Sequence, residues 1–165
     1  MKIDIQIIAA LCRQYGTLLK VPVCINGPGL LWALAGNESS FGASCAPRHE
    51  LGYCYGHKYF DASYTHEWGC LAHCSFSPWQ IMATNAKGFS PLELLTDPEK
   101  AVQATVGFLN RQILGAEKAV TLSEIADAYN SGNWRDANVP QEYIDKLLKN
   151  FGIAMPAPLA AGASA

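Results

Sequence analysis

The sequence predicts an all-α single domain carrying one loop-rich, Cys/His-rich insert. Three observations predict it. Apolar residues recur at helical spacing over residues 4–15 and 30–38. After residue 90, helix-start signals follow one another: Ser90-Pro91-Leu92-Glu93, Asp97-Pro98, Thr121-Leu122-Ser123-Glu124 and Pro140. Between residues 42 and 77 the periodicity stops, and four of the six cysteines and all four histidines (His49, His57, His66, His73) fall between 45 and 74.

Taken in order, residues 4–15 read as a first helix with Ile5, Ile8, Ala9, Cys12 and Tyr15 on one face, ended by Gly16. Residues 17–29 are a connector whose Asn26-Gly27-Pro28-Gly29 is turn chemistry before a helix start. The second helix, Leu30 to about Glu38, has Leu30, Leu31, Leu34 and Ala35 on a buried face. Residues 42–77 read as irregular; a run of that length inside a domain is usually functional or cross-linked. Residues 78–87 read as a short helix opened by Pro78.

The two capping boxes and Asp97-Pro98 then open three helices, the middle one with Ala101, Val102, Thr105, Leu109 and Ile113 inward and the third running to Tyr129. Pro140 opens a last helix with Tyr143, Ile144, Leu147, Leu148 and Phe151 on its apolar face. The domain is expected over residues 1–153, and the Ala/Pro-rich residues 154–165 as a disordered tail.

Composition narrows the partners. The 165 residues suffice for one buried core. The net charge of −2 comes without a Lys/Arg cluster, so no electrostatic footprint for nucleic acid or an anionic membrane is present, and a neutral polymer suits the chain better. No apolar run has the length of a membrane span. Asp4 and Gln6 interrupt the N-terminal apolar segment, which therefore reads as an amphipathic helix rather than a signal peptide.

Three constellations can carry chemistry. Glu38 ends an apolar helical run, where desolvation raises a carboxyl's pKa and suits it to general acid work; it also reads as a solvated glutamate at a helix end. In Ser77–Met82, Trp79 offers a face to a sugar ring, Gln80 both donates and accepts, and Met82 is adaptable apolar surface; taken alone, the motif reads first as a Pro-initiated helix with a core Trp and Met. Ala128–Gly132 presents Tyr129 and Asn130 at a helix end, and also reads as a plain helix C-cap.

In this order the three (Glu38-Ser39-x-Phe41, x-Gln80-Ile81-Met82, and Ala128-Tyr129-Asn130-x-Gly132 followed by Pro140-x-x-Tyr143-Ile144) resemble the soluble lytic transglycosylase family, over roughly residues 4–151. That family has a lysozyme-like α fold related to goose-type lysozyme. The resemblance implies that Glu38 is the catalytic acid, with Ser39, Gln80, Met82, Tyr129 and Asn130 as substrate-binding residues and Leu34, Phe41 and Met82 as an apolar wall. It implies no cofactor and no catalytic metal, a monomer, and peptidoglycan glycan strands as the partner. Three departures stand out: Ser77 replaces the glycine that usually opens the glutamine motif, Pro78-Trp79 replaces the commoner Leu-Met, and Glu38 and Gln80 lie 42 positions apart.

The implied reaction breaks the β-1,4 bond between N-acetylmuramic acid and N-acetylglucosamine. Glu38 protonates the leaving oxygen, then takes a proton from the sugar's C6 hydroxyl as a 1,6-anhydro ring closes. A lysozyme-type hydrolase would add a second carboxylate, for which the insert offers Glu50, Asp61 and Glu67. The same residues also admit a chitinolytic enzyme or a non-catalytic, structural wall-binding protein. Action in the periplasm or the extracellular wall is expected, with export by a route other than a signal peptide, as for a phage-encoded lysin or a virion-associated enzyme.

For the insert, disulfides such as Cys45–Cys54 or Cys70–Cys74 are the leading expectation, since the cysteine count is even and wall-cutting enzymes work under oxidising conditions. A structural zinc site is the rival, although Cys45-x3-His49 and Cys70-x2-His73 are not a standard paired pattern; free thiols are the third reading. Cys12 and Cys24 either pair across the first connector or, for Cys12, serve as core.

Overall fold

The computed structural model describes residues 1–114, 121–131 and 139–158. Among them are seven α-helices: α1 Ile5–Gly16, α2 Gly27–Ser39, α3 Ala62–Trp68, α4 Pro91–Thr96, α5 Pro98–Phe108, α6 Leu122–Ser131 and α7 Gln141–Phe151. A π-helical turn, Leu109–Ile113, continues α5. Three short strands, β1 Arg48–His49, β2 Cys74–Phe76 and β3 Ile81–Met82, form one antiparallel sheet in that order.

The protein is built around α2. Every residue from Leu30 to Asn37 is buried, and a helix that is apolar on all sides belongs inside a core. Asn26 caps it by accepting from the Gly29 amide at 3.0 Å, so the helix begins inside the stretch expected to be connector. α1 packs on one side of α2 and α7 on another. Where α1 ends against the start of α2 the backbones touch: a Cβ on Gly27 would stand 2.2 Å from the Gly16 carbonyl oxygen. The exit of α2 is a sharp turn in which Ser40 and Phe41 both adopt positive φ.

The C-terminal helices follow their local signals. The Ser90 box closes with Glu93, Asp97 caps α5 through the Glu99 and Lys100 amides, and Thr121 and Glu124 cap each other. Ala101, Val102, Thr105, Leu109 and Ile113 are buried as expected. Leu147 anchors α7, but Leu148 is exposed, as is Ile5 on α1, because both faces lie at the margin of the apolar stripe.

The insert departs from expectation. It contains α3, β1, β2 and two 3₁₀ turns, Leu51–Tyr53 and Gly69–His73, rather than irregular chain. Residues 78–87 are not a helix. Ser77–Gln80 is the turn between β2 and β3, with Ser77 and Gln80 at positive φ, and a 3₁₀ turn follows at Ala83–Asn85. Pro78 serves a turn here, and pairing of Phe76 with Ile81 overrides the helix-like local sequence.

All six cysteines are free thiols, so neither the Cys45–Cys54 nor the Cys70–Cys74 disulfide forms, nor Cys12–Cys24. The side chains point to other partners. The buried Cys45 thiol faces the Gly42 carbonyl at 3.4 Å, Cys54 faces His49 Nε2 at 3.4 Å, and Cys74 donates to the Cys70 carbonyl at 3.4 Å. Cys12 is core and Cys24 is exposed. Of the tail, residues 154–158 lack regular structure, yet Met155 packs on the core and the Pro156 carbonyl accepts from Arg13. Residues 159–165 and Gly132 lie outside the described residues.

Candidate active site

A cleft of about 540 Å³ opens beside the end of α2, lined by Glu38, Arg48, Glu50, Gln80, Tyr129 and Met82 among others. Its size is in the range of about 300–1,000 Å³ common for small-molecule and substrate sites. It is built by α2, the β1 segment, residues 53–61, the β2–β3 hairpin with the turn after it, the end of α5 with its π-helical turn, and α6.

Glu38 is delivered by the last turn of α2, and its side chain is 7% exposed. Burial raises its carboxyl above the usual range; the Tyr143 hydrogen bond and the Arg48 charge pull the other way without cancelling it. Tyr143 on α7 donates to Oε1 at 2.5 Å, and its own hydroxyl is held well above the usual tyrosine range by burial and by Glu38. Arg48 approaches Oε2 with both terminal nitrogens at 3.4 Å, at the long edge of hydrogen bonding. Oε1 is therefore committed to a tyrosine, while Oε2 is loosely held.

Arg48 also bridges to a second carboxylate. Its Nε donates to Glu50 Oε1 at 2.6 Å, and the Ser75 hydroxyl lies 3.0 Å from that same oxygen. One guanidinium thus stands between two cleft carboxylates. Asp61 lines the cleft too, although one of its oxygens caps α3 by accepting from the Tyr64 amide. Glu67 is not among the lining residues.

Gln80 is nearly buried. Its Nε2 donates to the Ser77 carbonyl at 3.0 Å and the Ala46 carbonyl at 3.3 Å, and its Oε1 lies 2.8 Å from the Ser75 hydroxyl. Its positive φ of 47° is a conformation non-glycine residues seldom adopt, and it sits at the cleft wall. Tyr129 donates to the Trp79 carbonyl at 2.6 Å and packs edge-on against Phe108, and burial followed by the Glu38 charge raises its hydroxyl well above the usual range. Met82 and the exposed Asn130 line the cleft.

Three expected roles fall elsewhere. Ser39 is buried; its hydroxyl donates to the Ala35 carbonyl and accepts from the Gly42 amide, each at 2.9 Å, so it shapes the turn after α2 rather than lining the cleft. Trp79 is fully buried with its Nε1 donating to the Leu31 carbonyl at 2.9 Å, and offers no face to a sugar. Of the expected apolar wall only Met82 lines the cleft: Leu34 is core, and Phe41 stacks on Trp32 with ring centroids 4.4 Å apart.

Sequence reasoning missed Arg48, Tyr143 and the tyrosine pair. Tyr53 and Tyr59 stack with centroids 5.2 Å apart on the cleft wall and form its aromatic platform. Tyr143 is visible within Pro140-x-x-Tyr143-Ile144, but reads there as part of an apolar face. Arg48 has no signal beyond lying two positions from Glu50.

No protein-family model matches the chain, and comparisons with curated proteins and with solved structures return no match. The chemistry of the cleft carries the functional reading.

Proposed function

We propose that this protein is a lysozyme-like enzyme that cleaves the β-1,4 glycosidic bond of peptidoglycan, with Glu38 as the general acid. The observation that carries the reading is a buried carboxyl on the wall of a cleft, raised by burial, with one oxygen fixed by Tyr143 and the other held only at 3.4 Å by Arg48. Burial favours the protonated form from which such an acid must donate. Tyr53 and Tyr59 supply a surface on which a sugar ring can stack.

In this mechanism Glu38 Oε2 gives its proton to the leaving oxygen while Tyr143 and Arg48 stabilise the carboxylate that results. The carboxylate then accepts the C6 hydroxyl proton as O6 closes onto C1, so no water enters and the product ends in a 1,6-anhydro ring. Asn130 offers its amide to the substrate, while Gln80, whose amide is taken up by Ser77, Ala46 and Ser75, shapes the cleft wall on a hairpin turn that Tyr129 braces.

Glu50 supports a second reading, a hydrolase in which a second carboxylate activates water. The transglycosylase stays ahead because Glu50 Oε1 already accepts from Arg48 Nε at 2.6 Å, so that oxygen is occupied rather than turned to a water. Mass spectrometry of the products from purified peptidoglycan tests both. Anhydro ends are expected; reducing ends heavier by one water would overturn the transglycosylase in favour of the hydrolase, and an intact substrate would remove the activity altogether.

A further inference from the structure

We propose that the insert holds a structural zinc ion, ligated by His49, Cys54 and His73 and completed by Cys70. One ligand atom from each of the first three lies within 4.8 Å of the others. The His49 Nε2 to Cys54 Sγ distance is 3.4 Å. Zinc bound at about 2.0–2.3 Å to nitrogen and sulfur spaces its tetrahedral ligand atoms about 3.3–3.8 Å apart, so that pair already has the required separation.

His73 is oriented from behind. Its Nε2 lies 3.0 Å from the Thr65 hydroxyl, which itself donates to the Asp61 carbonyl at 2.6 Å. With its proton spent on Asp61, Thr65 accepts from His73 Nε2–H, which leaves Nδ1 unprotonated as the ligating atom. Metal-binding histidines are commonly held in one tautomer by such an outer partner.

Cys70 supplies the fourth ligand through local geometry. Cys70 and His73 both lie in the 3₁₀ turn Gly69–His73, and side chains three apart in a 3₁₀ helix stand one above the other. Cys70 is exposed and its Sγ is not among the three gathered atoms, so it has to turn toward His73 when the ion binds. The set is then His49-x4-Cys54 with Cys70-x2-His73. Two thiolates and two imidazoles select zinc over the oxygen-seeking calcium and magnesium. Binding displaces one proton from each thiol to solvent, and the ion keeps its two charges balanced by two thiolates.

The insert needs such a staple. Neither the 3₁₀ turn Leu51–Tyr53 nor α3 buries a residue fully, and Tyr64 and Leu71 only partly pack on the core, so apolar packing holds this part of the insert less firmly than the helical frame. His49 also lies between Arg48 and Glu50, two of the charged residues the insert brings to the cleft. The metal site does not depend on the glycosidase reading; its consequence for Arg48 and Glu50 does.

The experiment is elemental analysis of the full chain, purified without chelator under reducing conditions and reconstituted with zinc chloride. About one zinc per chain is expected, with six titratable thiols once the protein is denatured in chelator. Cys54→Ser and His73→Ala should each lose the zinc, whereas Cys24→Ser and His57→Ala should keep it. Cobalt(II) added to the wild-type chain should give tetrahedral ligand-field bands with a thiolate charge-transfer band, a readout that survives if the variants fail to fold. A metal-free chain after reconstitution, a disulfide between Cys54 and Cys70, zinc retained in Cys54→Ser, or a cobalt spectrum without the thiolate band would each overturn the proposal. None of these measurements uses glycan cleavage, so failure of the zinc site and failure of the enzymatic reading are separable.

Discussion

Tyr143 donates a 2.5 Å hydrogen bond to Glu38 across 105 residues of sequence. It joins the last described helix to the end of the central one and commits one carboxyl oxygen. The same contact zone is tied by a polar network. Asn150 Nδ2 donates to Asn37 Oδ1 at 2.9 Å, Asn37 Nδ2 to the Tyr143 carbonyl at 3.1 Å, and Lys146 to the Asn37 carbonyl at 2.6 Å. Residues flanking the carboxyl thus fix the helix that carries its partner.

Under the proposed function, replacing Glu38 by Gln removes the proton donor and keeps the shape. Loss of peptidoglycan-clearing activity by about 10²–10⁴-fold is expected from the usual contribution of a general acid, with the far-ultraviolet circular dichroism unchanged. Turbidity assays on purified walls measure it, and an unaltered rate would remove Glu38 from the chemistry.

Tyr143→Phe deletes a hydrogen bond that lowers the Glu38 pKa, so that pKa moves further up. The basic limb of the pH–rate profile should shift to higher pH. The rate at the optimum should fall about 10–100-fold, as a hydrogen bond to a charged group is worth about 1.5–3 kcal/mol. A profile that stays in place while the rate falls would mean that the tyrosine acts on the substrate rather than on Glu38.

The raised Glu38 pKa has a consequence for stability. The folded state binds this proton more tightly than the unfolded state, whose carboxyl titrates near 4.5. The stabilisation is fully present below that value and is lost as pH rises through the higher folded value. Urea unfolding of wild type and Glu38→Gln across that window should show the wild type losing stability relative to the variant as pH rises, then a plateau. A constant difference would mean that the carboxyl is not desolvated in the folded state.

Gly36 marks the tightest approach at the end of α2: a Cβ there would stand 2.5 Å from the Phe41 ring and 2.8 Å from Asn150 Nδ2. Gly36→Ala should destabilise the protein by about 1–3 kcal/mol, as overpacking of a filled core does. Asn150→Ala should cost a similar amount, about 1–3 kcal/mol, because it leaves Asn37 Oδ1 buried without its partner. Chemical denaturation curves check both, and additivity is not expected, since both substitutions disturb Asn150.

Much of the helical frame is legible because its signals are local. A Ser or Thr that caps the amide three residues on, or an Asp followed by Pro, reports its structure within one turn, and Ser90, Asp97 and Thr121 all do so. Glu38 is legible for a related reason: an apolar run long enough to be central delivers whatever residue ends it to the interior. The hairpin at Ser77–Gln80 is not legible. Its Pro-Trp-Gln could open a helix, and only the pairing of β2 with β3 decides otherwise. Trp79, readable as a sugar platform, becomes core for the same reason, and the exposed ring passes to Tyr59.

By itself the sequence determined a central apolar helix ending in a carboxyl, a helical C-terminal half, and a Cys/His segment without sustained periodicity. Tertiary structure decided the carboxyl's surroundings. Burial raises its pKa, α7 brings the tyrosine, and the strand of the insert brings Arg48 with Glu50 behind it. Capping and periodicity act over a few residues and are written in neighbouring letters. Desolvation and charge pairing act through space, between residues whose proximity exists only once the chain has folded.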